Sequence, residues 1–455
     1  MLSNIANTFT NCFKIPELKS RILYTLLVLA VCRLAALIPV PGLDATALKV
    51  YFENSGGAGG IAGMYSLFTG GGFENCAVGA LGIMPYISAT IILQLLTAVV
   101  PSLSKMAREE GGRTNIIKYG RYLTVLLCLG QGFMMALSWQ NPDKVFPGFT
   151  GNLVMVDSKI WYLIQTTLIL TTGTVLLMWL GEQITERGIG NGVSLVITIG
   201  ILARLPKAGQ GLMDMFHPAS GEPKSLWILV LLIVLLILVI GAVIAVTQAQ
   251  RKIPVQYAQR AVGRKVYSGG SSFLPLRVNY AGVMPVIFAQ ALLMFPAQIF
   301  SFIGGKFGLQ FFSSLANQLQ AGSIIYISLY ALLILAFSYF WVATQFNELQ
   351  IADDMKKSGG YIPGVRPGQP TSDFLHNSMS RITFAGALFL TIIAVIPILL
   401  AQSLGINQVV AQFFGGTSML IMVGVMLDTM RQMESYLLMR HYDGFLKKGR
   451  IKGRF

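Results

Sequence analysis

Long apolar runs separated by short polar segments dominate the 455 residues of this chain. A helix needs about 20 apolar residues to cross a bilayer, and ten runs approach that length. The predicted spans cover residues 22–40, 76–100, 120–138, 160–180, 190–204, 226–247, 281–302, 323–345, 380–401 and 413–430. The first follows an amphipathic, charged N-terminus and precedes nine others, so we interpret it as a retained span and not as a removed signal peptide.

Composition and charge agree with a polytopic membrane protein. Hydrophobic residues make up 54% of the chain, charged residues make up 12%, and the mean hydropathy is +0.64. With a cytoplasmic N-terminus, 26 of the 34 Lys and Arg residues fall on inside segments and 7 fall outside, with Arg33 inside the first span. The positive-inside rule therefore predicts that both termini are cytoplasmic. This bias accounts for the net charge of +15 without a nucleic-acid-binding domain.

Two similar segments suggest an internal duplication. GIMPYISA at 82–89 and GVMPVIFA at 282–289 agree at six of eight positions when Ile and Val are counted as equivalent, and each opens the second span of a set of five. The alternative is two independent helix starts, because Pro is tolerated in a first turn. Since five is odd, duplicated halves would have opposite orientations in the membrane, as in inverted-repeat transport proteins.

The predicted spans contain few ionisable residues. Asp428, near the end of the last span, is their only acidic residue, they contain no His, and Arg33 is the only mid-span charge. Ion-coupled carriers usually keep carboxylates or His within their spans. Arg33 costs roughly 2.5–3.5 kcal/mol on insertion scales, and we interpret it as structural. An apolar interior of this kind would gate by excluding water.

Apolar residues also recur at helical spacing near the repeated motif. Three pairs, three or four positions apart, each share one helix face: Ile83 with Ile87, Val193 with Ile197, and Met284 with Ile287. Spacing alone fits a packing core as well as the lining of a pore, so it leaves both interpretations open.

Longer segments resemble the SecY family, whose members are central subunits of the bacterial protein-conducting channel. They are ALGIMPYISATIILQLLT, GEQITERGIGNGVSLVI, QAQRKIPVQYAQRAVGRKVY, LPLRVNYAGVMPVIF and GGYIPGVRPGQPT. The resemblance implies an all-α polytopic membrane protein. Ten transmembrane helices would form two inverted five-helix halves, a clamshell around a central hourglass pore. It further implies passage of unfolded secretory polypeptides across the membrane and lateral release of membrane segments into lipid.

Carried over position by position, the resemblance assigns a pore ring and a lateral gate. The ring comprises Ile83, Ile87, Val193, Ile197, Met284, Ile287 and Ile421. Val193 and Met284 replace the Ile common in the family but keep apolar bulk. The lateral gate would lie between the second and seventh spans, with Gln94 and Gln290 as polar candidates. Ordinary interhelical hydrogen bonding is the alternative role for both amides.

The segment GGAGGIAGMYSLFTGGGFENC at 56–76 has an apolar centre bracketed by glycines. The simplest interpretation is a flexible external loop. The resemblance implies instead a plug at about 57–75 that folds back beneath the ring and moves when a substrate enters, with glycines supplying backbone freedom. Its candidate residues are Ile61, Met64, Tyr65, Leu67 and Phe68.

Two basic segments, 248–280 and 346–378, form the longest inside connections. Fixing the topology could explain many of their charges. The resemblance implies that they dock the ribosome, whose RNA attracts basic residues, or the ATPase SecA. Candidate contacts are Arg366, Tyr442, Arg251, Lys252, Arg260 and Arg264. The family also implies SecE and SecG subunits, signal peptides and nascent chains as ligands, membrane lipids, and SecDF and YidC as further partners.

No motif predicts an enzyme, a cofactor or a metal. GIGNGVS joins two apolar spans instead of a strand and a helix, so it lacks the context of a phosphate-binding loop. His217, His376 and His441 are far apart, and the four Cys show no CxxC spacing. Energy would come from a partner ATPase, the ribosome or the membrane potential.

The sequence thus predicts a translocation channel in a bacterial inner membrane. An inverted-repeat transporter of a small solute and an insertase without a through-pore are the alternative functions. The alternative location is a chloroplast thylakoid membrane. The predicted organisation is an N-terminus at 1–21, a first half at 22–204, an external connection at 205–225, a second half at 226–430 and a basic tail at 431–455.

Overall fold

The computed structural model describes residues 15–54, 61–109, 111–142, 149, 151–216, 226–257, 260–262, 265–267, 271–307, 309–320, 322–404, 410, 413 and 416–448. The first half of the chain contains α1 (Pro16–Ala35), α2 (Ala45–Asn54), α3 (Ile61–Thr69), α4 (Met84–Val99), α5 (Pro101–Arg108), α6 (Gly112–Gln140), α7 (Lys159–Arg187), α8 (Gly192–Leu202) and α9 (Leu205–Phe216).

The second half contains helices and a small sheet. The helices are α10 (Leu226–Gln248), α11 (Met284–Phe307), α12 (Gln310–Gln318), α13 (Ile324–Gln345), α14 (Glu348–Ser358), α15 (Gln369–Leu404) and α16 (Thr417–Lys448). The strands are β1 (Gln250–Tyr257), β2 (Arg260–Val262), β3 (Lys265–Tyr267), β4 (Ser271–Arg277) and β5 (Gly360–Tyr361).

Each predicted span contains one helix, namely α1, α4, α6, α7, α8, α10, α11, α13, α15 or α16. Among the described residues, seven helices are long and apolar enough to cross a membrane, or eight if α4 and α5, bent by 104°, count as one span. The two remaining helices are α1 and α16, which carry charged residues among their apolar ones: Lys19, Arg21 and Arg33, and Asp428, Arg431 and Glu434.

The repeated Gly–Pro motif begins a helix in both halves. α4 starts at Met84 and α11 at Met284, each with the motif's Pro as its second residue. Gly82 has a φ of +60° and Gly282 a φ of +62°, a left-handed conformation that Gly adopts without a Cβ clash. The motif is therefore a sharp entry turn and not a defect within a helix.

Helix packing repeats between the halves. In the first, α4 contacts α6, α6 contacts α7, and α7 contacts α1 and α8, while α1 also contacts α8. In the second, α11 contacts α13, α13 contacts α15, and α15 contacts α10 and α16, while α10 also contacts α16. The two sets of contacts correspond helix by helix, as a duplication predicts.

A pair of close backbone approaches repeats as well. A Cβ added to Gly173 in α7 would strike the carbonyl of Val78, and one added to Gly386 in α15 would strike the carbonyl of Val278. Val78 and Val278 each precede the motif's Gly by four residues. Both halves thus bring the segment before α4 or α11 against a Gly of their fourth spanning helix, α7 or α15.

The largest contacts between the helices of the two halves are made by two helix pairs. α4 contacts α11, and α8 contacts α16. Buried residues of both halves form one continuous apolar cluster at these contacts. The region between the halves is therefore closed by side-chain packing.

A basic sheet of order β4-β1-β5 follows α10. β1 pairs antiparallel with β4 from Gln250 opposite Arg277, and with β5 through Gln256 opposite Tyr361. Ile253 and Leu276 are buried in a second apolar cluster with residues of α13 and α15. This packing brings the segments 248–280 and 346–378 together, although they are distant in sequence.

Candidate translocation pore

The seven predicted ring residues lie in one apolar region between the halves. Five of them are at most 4% exposed: Ile83, Ile87, Ile197, Ile287 and Ile421. Val193 and Met284 are half-buried and pack against the same cluster. The structure thus brings together residues from α4, α8, α11 and α16 and from the turn before α4.

Local structure explains how these side chains are positioned. Ile83 is the N-cap residue of α4, and Ile87 lies one turn further on. The Asn191 side chain accepts a hydrogen bond from the Ser194 backbone N–H at 3.3 Å and so starts α8 next to Val193. A neutral N-cap of this kind satisfies an otherwise unpaired amide in apolar surroundings.

Alignment of the repeated motifs identifies a residue that the prediction missed. GIMP and GVMP pair Ile83 with Val283 and Met84 with Met284. Val283 is 3% exposed and belongs to the central cluster. A Cβ added to Gly424 of α16 would collide with it. Val283 therefore packs against α16. The second motif thus contributes Val283 to the closed contact, one residue before Met284, the first residue that the spacing argument named.

Two glutamines lie on the helices that form the predicted lateral gate. Gln94 of α4 is half-buried, and Gln290 of α11 is 2% exposed. Neither Oε1 accepts a hydrogen bond from another described residue. A buried, unpaired amide costs about 1–3 kcal/mol. We call the interface between α4 and α11 the lateral gate.

The predicted plug contains a helix, α3. It packs against α8 and also contacts α11. Tyr65 is 3% exposed and Phe68 is 6% exposed, while the side chains of Ile61, Met64 and Leu67 lie outside the described part. Phe68 and Thr69 line the same small cavity as Ile83. The plug helix α3 therefore ends directly beside the ring.

A buried polar cluster, absent from the sequence prediction, includes Ser66 in the middle of α3. Ser66 Oγ donates to Glu74 Oε1 at 2.7 Å, and Arg204 Nη2 donates to Ser66 Oγ at 2.5 Å. Arg204 and Lys207 both form ion pairs with Glu74. We call Ser66, Glu74, Arg204 and Lys207 the plug cluster. Its acidic member lies within the predicted plug segment, but its basic members come from a region 130 residues later, and the sequence did not signal that they meet.

Arg33, the mid-span charge of α1, is also accounted for. Its Nη1 donates to the carbonyl of Gly70 at 2.9 Å, just beyond the end of α3. Gly70 has a φ of +64° and lies so close to Gly200 of α8 that an added Cβ would be 2.7 Å from the Gly200 Cα. Arg33 is thus paired within the protein and contacts the plug.

Three of the six predicted docking residues have described side chains, and they lie on or next to the basic sheet. Arg251 and Lys252 are exposed on β1, and Arg366 is exposed in the turn that follows β5. Arg264 lies outside the described residues, and the side chains of Arg260 and Tyr442 are likewise outside the described part. The pairing of β1 with β5 brings the strand that carries Arg251 and Lys252 next to the segment that carries Arg366.

Fold and site together define a multi-pass membrane protein with two duplicated halves that close around an apolar constriction. The SecY family model matches residues 77–430. The translocase subunit SecY of Chlamydia muridarum is 42% identical over 457 residues, covering 98% of this chain and 99% of the relative. That of Escherichia coli K12 is 41% identical over 438 residues, covering 96% of each. The chain belongs to the SecY family.

Solved structures show the same fold. A protein-conducting channel matches with a TM-score of 0.65 and 18% identity, and the canine Sec61 of a ribosome–channel complex with 0.61 and 18%. A SecY structure described by the role of its plug domain in the closed state matches with 0.59 and 17%. Each comparison covers 97% of this chain and 99% of the other. These likenesses confirm the ten-helix clamshell.

Proposed function

We propose that this chain forms the protein-conducting channel of a translocase and that secretory polypeptides pass unfolded between its halves. The observation that supports this most is the closed apolar contact of Ile83, Ile87, Ile197, Ile287 and Ile421, which are contributed by both halves. An aliphatic ring offers a passing chain no hydrogen bonds, while water and ions meet an unfavourable neck. The alternative of a small-solute transporter is not retained, because the family's named relatives are protein translocase subunits.

The plug helix α3 closes this ring in the proposed mechanism. Tyr65 and Phe68 are buried beside it, and Ile61, Met64 and Leu67 continue the same short apolar segment. A signal sequence opens the channel when it binds the open form better than the closed one, which shifts the population. α3 then leaves its site against α8, and the ring widens around the polypeptide.

Lateral release uses the gate between α4 and α11. In this proposal Gln94 and Gln290 weaken the interface, because the side-chain oxygen of each is buried without a hydrogen-bond partner among the described residues. An apolar segment of the substrate can take the place of α4 or α11 in their contact. The free-energy cost is small, because lipid and protein surfaces are equally apolar there. Membrane segments would leave through this opening into lipid.

The proposed setting is a bacterial inner membrane, with both termini and the basic sheet in the cytoplasm. Positive charge is exposed on and beside the sheet by Arg251, Lys252 and Arg366. This charge suits ribosomal RNA or SecA. The proposed docking region also includes Arg260, Arg264 and Tyr442. SecE and SecG would complete the channel, and SecDF and YidC would act with it. The proposed functional units are the two halves, 22–204 and 226–430, with the plug at about 57–75.

The test places a photocrosslinker at Ile287 of the channel, assembled with its partner subunits, and engages a secretory chain stalled midway across the membrane. Ile392 is the matched control, because it is the same residue type but is 45% exposed on α15. We expect the stalled chain to crosslink at position 287 and not at position 392. A stalled, verifiably engaged chain that crosslinks at neither position would refute the assignment of the ring.

A further inference from the structure

The plug cluster places full charges where the chain is otherwise apolar. The side chains of Glu74 and Arg204 are 3% and 5% exposed, whereas that of Lys207 is 42% exposed. Burying an ion requires a partner, because desolvation in a medium of low dielectric constant is costly. The pair of Glu74 with Arg204 is therefore a strong constraint on the arrangement in which both are buried.

The cluster joins α3 to the junction of α8 and α9. Ser66 is fully buried on α3, and its Oγ both accepts from Arg204 and donates to Glu74. Arg204 follows α8, and Lys207 lies in the first turn of α9. A hydroxyl on the plug helix thus bridges a cation and an anion that are already paired with each other.

A second cation holds the end of the same helix. Arg33 donates to the Gly70 carbonyl at 2.9 Å. The C-terminal end of a helix carries partial negative charge, so a cation there is stabilising. Polar contacts therefore fix α3 at its middle and at its C-terminal end, in addition to the packing of Tyr65 and Phe68.

We propose that Ser66, Glu74 and Arg204 form an electrostatic latch that holds the plug helix closed and sets how strongly a signal sequence must bind to open this channel. The inference rests on the proposed function and extends it to the stringency of substrate selection. Arg33 assists the latch by holding the Gly70 carbonyl, and Lys207 contributes less because its side chain is 42% exposed.

The sign of each substitution follows from solvation. With α3 in place, Glu74→Gln leaves the Arg204 guanidinium buried without its counterion, whereas departure of α3 lets water reach it. The closed state is therefore destabilised relative to the open one. Arg204→Gln acts in the same direction, because it removes the buried counterion of the Glu74 carboxylate. Replacing both residues with Gln removes both charges and leaves two groups that can hydrogen-bond each other and Ser66. The double variant should close again.

The experiment uses the full channel with its partner subunits, reconstituted in proteoliposomes. Two quantities are measured: transport of a substrate with an intact or a weakened signal sequence, and ion conductance of the idle channel in a planar bilayer. Glu74→Gln and Arg204→Gln should each raise idle conductance and transport of the weakened substrate roughly tenfold or more, as loss of a buried partner shifts the population. Ser66→Ala should give a smaller rise, and the double variant should return towards the original values.

Controls separate the latch from misfolding and from failure of the proposed function. Arg121→Gln breaks an ion pair that joins α6 to α7, with Arg121 46% exposed, and should change neither quantity. The amount of assembled channel is measured for every variant. Single variants that assemble normally, transport the intact substrate and stay as closed as the parent would overturn the latch, as would a double variant at least as open as the singles. If the parent itself transported no intact substrate, the proposed function would fail instead.

Discussion

Gly82 and Gly282 occupy equivalent turns of the two halves, but their surroundings differ. A Cβ on Gly82 would lie 3.1 Å from Cγ2 of Thr69, at the end of the plug helix, whereas a Cβ on Gly282 would have only Asp428 Oδ2 nearby, at 3.9 Å. Both residues have positive φ. Gly thus meets the requirement for a positive φ at both positions. At position 82 its lack of a Cβ also leaves room for Thr69.

This difference predicts unequal effects of the same substitution. Gly82→Ala and Gly282→Ala should each lower stability by about 1–2 kcal/mol, because a Cβ is strained in the left-handed conformation. Gly82→Ala should also displace Thr69 and raise the idle conductance of the channel, whereas Gly282→Ala should not. Thermal unfolding and single-channel recording measure the two effects. Equal conductance changes in both variants would contradict a specific contact between Gly82 and the plug.

Sequence reasoning at this scale found the apolar residues and missed the polar cluster. Helical spacing placed Ile83 with Ile87 because both lie on one helix. Glu74 and Arg204 have no such relation, since they are distant in the chain and meet only after α3 and α8 pack together. Arg204 is the last residue of the predicted span 190–204, and nothing in its immediate neighbours marks it as buried.

The two helices of the lateral gate show how an element can be adjusted for opening. α4 and α11 are apolar along most of their length and contact each other, yet α4 carries Gln94 and α11 carries Gln290 and Gln298. In the proposed mechanism, opening relieves the cost of the buried, unpaired side-chain oxygens of Gln94 and Gln290, which lowers the free energy needed to separate the helices.

Removing the buried amide should tighten the gate. In Gln290→Leu we expect the closed interface to be stabilised by about 1–3 kcal/mol, so that segments of marginal hydrophobicity enter the membrane less often. Gln94→Leu is the comparison, with a smaller effect because Gln94 is only half-buried. The measurement is the inserted fraction of a graded series of test segments. An unchanged or lower hydrophobicity threshold in Gln290→Leu would count against a polar gate.

At the scale of the whole molecule, the two halves are also joined by the distal part of α16. Leu18 and Ile189 of the first half are buried in a small cluster that includes Tyr436. The Arg21 guanidinium lies 5.2 Å from the centre of the Tyr436 ring, and the Gln432 side chain accepts a hydrogen bond from the Gly190 N–H at 2.8 Å. This contact is small and partly polar, and it joins α16 to α1 and to the turn before α8.

A matched pair of variants tests the contribution of this contact. Tyr436→Ala should lower the stability of the assembled protein by about 1–3 kcal/mol, since it removes a packed ring and its cation–π partner. Tyr436→Phe keeps both and loses only a 3.4 Å hydrogen bond from Arg21, so its midpoint of thermal unfolding should stay within a degree or so of the parent. If Phe destabilised as much as Ala, the hydroxyl and not the ring would be the important group.

The sequence by itself determined the ten spans, the division into fives and the faces on which the ring residues lie. These properties follow from local rules, because a span depends on the number of successive apolar residues and a helix face on spacing of three or four. The repeated Gly–Pro motif also predicted the duplication, which the corresponding helix contacts of the two halves confirm.

Only the tertiary structure decided which surfaces meet. It brought Ser66 to Arg204, Arg33 to Gly70, and β1 to β5. It also ended α4 at Val99 with a bend of 104° into α5. Contacts of this kind form only when distant segments are placed together. Burial removes hydration from the charged groups at a free-energy cost, and pairing with the distant partner offsets that cost. For that reason the apolar helix faces were visible in the sequence, while the contacts of Ser66 and Arg33 with distant groups were not.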